Sequence, residues 1–498
     1  MKTLISPLLA IVLTLSLGWP AAAFASLLIR NVHVVSPHAL PSGKPVNLLI
    51  ENGRILSIGG DEPAADEVLD GEGRYLIPGL IDTHVHLQGV PGESDALPSA
   101  VRAEAQTQIP KSYLYFGFTT VLDLISSESP IDEWNNQPLA PKAYYCVPVP
   151  VPGGYPLAWL PEADQMQNPA ARYYLYDGRR PELMAALPDS ENHRPDALVK
   201  KIAASGARCI KVFYETGFGR LKNLPVPTLA MMQELVAAAQ KVGLPVFLHG
   251  NSKASYEFAA TAGVDLLAHG LWHDHSGASA DELQALAGSI KAAGVAVQPT
   301  VQVIAGEREL FNSNFWREPG VADAMPAALI EWYQSDAGQW MLWEIGGQLV
   351  SDKTAGLPEY HVVHEAYRSA LTRVRDFTGQ LMALSVPLVF GSDTPSGPIY
   401  TQFPGVNGRA EIKQWQALGV DPAQLLRALT LDNARLMGLD AELGSVESGK
   451  IADLLLLDEN PLHSVNAYDT IHTVIVRGRP IARQTLSARS LPDISPAE

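Results

Sequence analysis

The stretch Leu76-Ile-Pro-Gly-Leu-Ile-Asp-Thr-His-Val-His-Leu87 reads as an apolar strand ending in a His-x-His pair. Residues two apart on a strand share a face, roughly 6–7 Å apart at about 3.3 Å per residue. His84 and His86 therefore suit a single metal ion at bond lengths of about 2.0–2.1 Å. Alone the pair carries little weight, because half-buried sheet histidines bonded to backbone carbonyls give the same pattern. Other polar residues change the balance. Lys211 sits in Ala207-Arg-Cys-Ile-Lys-Val-Phe213, His249 ends Pro245-Val-Phe-Leu-His249, His269 ends Leu266-Leu-Ala-His269, and Asp393 ends Pro387-Leu-Val-Phe-Gly-Ser-Asp393. Polar residues repeated at strand exits, with amphipathic helical patterns between, predict an active site on the top face of a (β/α)8 TIM-like barrel.

The chain has 498 residues, 47% hydrophobic and 18% charged, which fits a globular protein with a large core rather than a disordered one. A formal net charge of −17 argues against nucleic acid as a partner, since that needs a basic footprint. The expected partner is a small-molecule substrate, and the oligomeric state is open, a homo-oligomer included. A basic start, an apolar run from Leu4 to Leu17 and Ala23-Phe-Ala25 before Ser26 predict a removed signal peptide over 1–25. The run is shorter than the roughly 20 residues a spanning helix needs. With no cysteine after the cleavage site to carry lipid, the mature chain is expected to be periplasmic or secreted without a membrane anchor. Cys146 and Cys209 are too few for a disulfide framework. Both fall on neighbouring barrel strands, where bridge geometry is seldom good, so two buried thiols are expected and one bridge is the alternative.

Strand-turn-strand signals follow the export segment at Val46–Ile50, Asn52-Gly53 and Arg54–Ile58, and further strands come at Lys450–Asp458 and His472–Gly478. Strand-rich ends flanking a βα repeat predict a small discontinuous β-sandwich domain built from both termini, over 26–75 and 437–498, around a barrel over 76–436. Eight barrel strands are expected: Tyr75–Thr83, Thr120–Leu124, Lys142–Val147, Arg208–Phe213, Pro245–His249, Leu266–His269, Val295–Pro299 and Pro387–Phe390. Helices over Thr228–Val242 and Ala280–Gly294 each close with glycine before the next strand. Two insertions, at about 148–195 and 301–384, leave the catalytic end of the barrel, where loops set specificity. Trp316, Trp332, Trp340 and Trp343 in the second are read as packing.

These residues in this order resemble the amidohydrolase superfamily of metal-dependent hydrolases. The match runs through Asn52-Gly-Arg-Ile-Leu-Ser-Ile-Gly59, Leu76–His86, Ala428-Leu-Thr-Leu-Asp-Asn-Ala-Arg-Leu-Met-Gly438, Leu443–Leu454 and Asn460-Pro-Leu462. Gly117-Phe-Thr-Thr-Val-Leu-Asp123 and the fourth-strand lysine resemble the imidazolonepropionase-like and prolidase-like branch. The resemblance implies two divalent ions, zinc above all, with His84 and His86 on the more buried one, His249 and His269 on the second and Asp393 contacting the first. It also implies that Lys211 is carboxylated by CO2 and bridges both. An ammonium beside two dications is strongly disfavoured, so the amine deprotonates and becomes free to capture CO2. A plain buried lysine paired with a carboxylate is the competing reading. Asp393 is then the general base and acid.

Tyr155 and Tyr214 are candidate oxyanion donors, weighed against ordinary packing. Asn251 is a candidate polar contact, and His273 and His275 are candidate pocket residues, both weighed against a solvent-facing reading. His361 and His364 share a helical face but lack a third ligand. The leading function is an exported binuclear hydrolase of an amide or peptide bond in a dipeptide or N-acyl amino acid. The same centre acting on a lactone, ester, cyclic imide or phosphoester is the alternative. A mononuclear deaminase fits less well, since its proton-shuttling glutamate is replaced here by Ser252, and a non-catalytic scaffold fits least.

Overall fold

The computed structural model describes residues 26–490 apart from 39–42, 61, 88, 188, 220 and 350–358, so the expected export segment lies outside the described residues. In chain order the strands are β1 (Leu27–Val34), β2 (Val46–Glu51), β3 (Arg54–Ile58), β4 (Glu67–Asp70), β5 (Tyr75–Pro78), β6 (Leu80–Val85), β7 (Phe118–Asp123), β8 (Lys142–Val149), β9 (Cys209–Phe213), β10 (Val246–His249), β11 (Leu266–Ala268), β12 (Ala296–Gln298), β13 (Leu454–Leu457), β14 (Ile471–Val476) and β15 (Arg479–Ala482).

β6 to β12 form a parallel sheet in sequence order, as βα crossovers require. The eighth position is filled by the extended segment from Pro387 to Thr394. It touches β12 through a parallel bridge at Val297↔Leu388 and β6 through another at Val85↔Thr394. Four backbone bonds make these seams: Val297 to Pro387, Val389 to Val297, Thr394 to His84 and His86 to Thr394. The sheet therefore closes on itself into a TIM-like barrel, and the seam of closure is where Asp393 meets the two histidines of β6. The intervening helices begin and end on sequence signals. Leu229–Val242 is capped by Thr228 and stops at left-handed Gly243, and Ala280–Ala293 has a Ser279/Glu282 capping box and stops at Gly294.

The strand expected over Tyr75–Thr83 is two strands. β5 pairs with β1 and β13 in a second sheet, and β6 begins the barrel after Gly79. Gly79 is required because a Cβ there would lie 2.0 Å from Thr119 Oγ1, and its N–H bonds to the Asp453 carbonyl. This second sheet draws on both chain ends in the order β15-β14-β13-β5-β1-β2-β3, with β4 also on β1. The first half of β1 pairs with β2 and β4 and its second half with β5, so one strand serves two wings. Between them pack Leu27, Ile29, Leu48, Leu76, Leu454 and Ile475.

The cysteine expectation needs correction. Cys146 and Cys209 are register partners on β8 and β9 with Cα atoms 4.5 Å apart, and they form a disulfide. Direct opposition puts the pair inside the bridging range of about 4.4–6.8 Å, which a general rule for adjacent parallel strands does not foresee. The tryptophans of the second insertion pack as expected: Trp316 stacks on Tyr333 and Tyr400, and Trp340 donates to the Gly92 carbonyl, while Trp343 is exposed. His361 and His364 are exposed, one paired with Glu359 and the other edge-on to Tyr360, with no metal cluster around them among the described residues. No described helix is long and apolar enough to cross a membrane.

Buried Asn433 donates to the carbonyls of Ile81 and Phe390, both at 2.8 Å, and so ties β6 to the closing segment. Asn433→Ala removes both bonds, although the Phe390 carbonyl keeps the Thr83 hydroxyl, and should cost about 1–3 kcal/mol, read as a lower urea midpoint at unchanged slope.

Candidate functional site

On β6 the period of two carries Asp82, His84 and His86 to the barrel interior. Asp393, from the closing segment, lies between the two imidazoles: its Oδ1 is 3.1 Å from His84 Nε2 and 3.0 Å from His86 Nε2. One ligand atom from each of the three lies within 4.8 Å of the others, the spacing of a shared cation. The other carboxylate oxygen of Asp393 is 3.7 Å from His269 Nδ1. His269 in turn has ring centroids 5.1 Å from His84 and 4.6 Å from His249. The strand-exit residues of β6, β10, β11 and the closing segment thus converge.

Lys211 lies on β9, only 1% exposed, and its Nζ has no hydrogen-bond partner. No carboxylate lies within ion-pair distance of it among the described residues, so the reading of a plain buried lysine–carboxylate pair does not hold. Burial pushes its ammonium down to about 7, against an attraction to Asp393 that is too weak to compensate. An orphaned, readily neutral amine within electrostatic reach of His84, His249 and His269 fits a centre that takes cations and a modified lysine. Burial also lowers His84 to about 4, and holds His249 and His269 below the usual range, so these rings stand as neutral donors. Burial would raise Asp393, but its bonds with His84 and His86 keep it well below the usual carboxylate value.

Several side chains orient this set. His84 Nδ1 lies 2.6 Å from Gln298 Oε1, which leaves Nε2 as its free lone pair, and Gln298 is held by Thr83. His269 Nδ1 is 3.1 Å from Thr300 Oγ1. Asp82, fully buried, accepts from the backbone N–H groups of His84 and Ser392 and from the Ser392 hydroxyl. Gly391 permits the approach, since a Cβ there would sit 2.1 Å from Gln298 Nε2.

Of the low-level sequence candidates, Tyr155 comes to the site, its ring stacked on His249 at 4.8 Å and packed on Phe213. Asn251 is buried beside His249 and spends its amide on Glu215 at 2.8 Å. His273 lies over Phe218, its buried Nδ1 without a partner, and burial pushes it down to about 4; His275 is exposed. Tyr214, one position past Phe213, packs on Phe258 with ring centroids 4.6 Å apart. Ser252 caps the helix Lys253–Ala262 through Ser255, so the deaminase position holds a capping residue.

Glu215 escaped the sequence reading. It is 3% exposed, accepts from Gly217 N–H and Asn251, and approaches His249 Nε2 at 3.5 Å. Burial would raise it, but its bonds with His249, then Gly217 N–H and Asn251, hold it at about 2. Carrying the alternation Lys211, Phe213 one step further finds it.

The family model described as the amidohydrolase family matches residues 75–311 and 375–481, leaving out most of the second insertion. The chain belongs to this family. Among its relatives, a dihydroorotase of Thermus aquaticus is 36% identical over 112 residues, 21% of this chain and 22% of that protein. An adenine deaminase of Desulforamulus reducens is 36% identical over 80 residues, 16% of this chain and 13% of that protein. The chain thus matches about a fifth or less of these curated relatives. In fold it resembles prolidase-like proteins, among them a Xaa-Pro dipeptidase solved with bound methionine, at TM-score 0.60 and 20% identity over 92% of this chain and all of that one. The ochratoxinase of A. niger follows with TM-score 0.61 at 18% identity, covering 92% of this chain and 96% of that one.

In the metal-free protein the lowered Lys211 binds fewer protons than its unfolded counterpart between pH of about 7 and the ordinary 10.5. Stability contributed by that difference therefore rises with pH through this window and is lost as pH falls through about 7. Chelator-treated wild type should gain stability from pH 7 to 9 more steeply than Lys211→Met, measured by urea unfolding, and parallel slopes would contradict the shift.

Proposed function

We propose that this chain is an exported, periplasmic or secreted, hydrolase with two divalent ions, zinc as the native metal, that cleaves an amide or peptide bond in a dipeptide or N-acyl amino acid. His84, His86 and Asp393 would hold the first ion, His249 and His269 the second, with carboxylated Lys211 joining them. The observation that carries this reading is the buried Lys211 Nζ with neither hydrogen-bond nor ion-pair partner beside two groups of neutral imidazoles. When bound, two divalent cations supply Lewis acidity, a more acidic water and a polarised scissile carbonyl.

The chain's own part is positional and protonic. Asp393, kept ionised and pinned between His84 and His86, accepts a proton at its carboxylate and returns it to the leaving amine. The His84–Gln298 and His269–Thr300 contacts fix the tautomers that leave donors facing inward. Tyr155 stacks on His249, and Phe218 links it to His273 through ring contacts on the same side. The deaminase relatives share local sequence, but Ser252 offers no carboxylate where a proton shuttle would stand.

The test is turnover of purified zinc-loaded protein in bicarbonate on dipeptides, N-acyl amino acids, lactones, cyclic imides, phosphotriesters and adenine, with metal stoichiometry on the same sample. Amide cleavage with two ions per chain supports the proposal; ester-only turnover changes the substrate class, and adenine turnover with one ion favours the deaminase reading. Asp393→Asn should lose on the order of 10²–10⁴ in kcat while the circular dichroism spectrum is unchanged. Lys211→Ala should lose metal and activity together, with partial rescue by short carboxylic acids; unchanged metal content would remove Lys211 from the centre.

A further inference from the structure

His249 is the one imidazole of the cluster with a carboxylate at hydrogen-bonding reach of its outward nitrogen. His84 has an amide oxygen there and His269 a hydroxyl, while Asp393 stands 3.7 Å from His269 Nδ1 and Asp123 3.9 Å from His86 Nδ1, both too far for a direct bond. Glu215 Oε2 lies 3.5 Å from His249 Nε2, and both groups are buried. The carboxylate is clamped in place: Gly217 N–H donates to Oε1 at 2.7 Å, and Asn251 Nδ2 donates to Oε2 at 2.8 Å. Asn251 is itself held by the His273 N–H on its carbonyl.

Among the described residues no lysine or arginine lies within ion-pair distance of Glu215. A buried carboxylate without a cationic neighbour is costly, so a compensating charge must reach it some other way. We propose that Glu215 is a positioning residue for the second ion: it accepts the Nε2–H of His249, which fixes the tautomer whose free lone pair is Nδ1 and makes that nitrogen a stronger donor. Positive charge on the far side of the ring then compensates the carboxylate through the imidazole. Bonds of this kind are often long before a site is filled and shorten afterwards. The proposal rests on the two-ion reading above and adds a residue and a role to it.

The test is zinc binding by the full chain, titrated against a competing chelator, for wild type, Glu215→Gln, His249→Ala and the double variant. Glu215→Gln should weaken one of two ions by about 10–100-fold and leave the other within about twofold. In the His249→Ala background the same substitution should add nothing, because its effect passes through that ring. Wild-type affinity for both ions in Glu215→Gln overturns the assignment. So does a Glu215→Gln loss that persists without His249, which would make Glu215 a direct ligand or a fold determinant. Near-UV dichroism checks folding, and Glu215→Asp replaces Glu215→Gln if the latter loses its signal. Fewer than two ions on wild type itself overturns the two-ion reading, and the Glu215 role with it.

Discussion

The site depends on how the barrel is closed. The eighth strand position is held by single-residue bridges to β12 and β6, so few ladder bonds secure it. Buried polar side chains supply what the ladder does not. Asp82 collects two backbone N–H groups and the Ser392 hydroxyl, Asn407 donates to the Ser392 carbonyl and the Thr394 hydroxyl, Thr83 donates to Phe390, and Asn433 spans Ile81 and Phe390. Burial raises Asp82 to about 7, a measure of how much this knot works against solvation. The knot sets where Asp393 stands, 3.1 Å from His84 Nε2 and 3.0 Å from His86 Nε2.

Backbone strain gathers at the same rim. His269, Thr300 and Asp393 have φ of 90°, 42° and 54°, the left-handed region that side chains other than glycine seldom adopt. Each such residue costs on the order of 1–3 kcal/mol and persists only where surrounding bonds over-determine it. His269 and Thr300 hold each other through their side chains, and Asp393 is held by His84 and His86. The strain turns strand-end side chains inward over the barrel mouth, where a regular strand would carry them past it.

Around this rigid rim the chain places looser material. The long helix Tyr360–Ala383 of the second insertion is anchored by Arg373, whose guanidinium donates to the carbonyls of Leu271 and Trp272. Trp272 packs against His269 with ring centroids 4.3 Å apart, so the insertion is mechanically joined to the loop beside the cluster. The first insertion delivers Tyr155 to His249.

The barrel and its six polar strand-end residues were legible in sequence because strand alternation and helix punctuation are local properties: a period of two puts His84 and His86 on one face, and Gly243 or Gly294 ends a helix wherever it stands. The same alternation, followed past Phe213, reaches Glu215, so that residue was within sequence reach. What depended on the tertiary structure were facts of register and proximity between distant segments. Cys146 and Cys209 pair because β8 and β9 happen to set them directly opposite, and Tyr75–Thr83 divides because Thr119 presses on Gly79. Tyr155, far in sequence from His249, meets its ring, while Tyr214, near Lys211 in sequence, packs on Phe258. Sequence determined which chemical groups stand at the strand exits; only the closed barrel decided that the Lys211 amine has no hydrogen-bond partner among the described residues, because that is a property of everything packed around it.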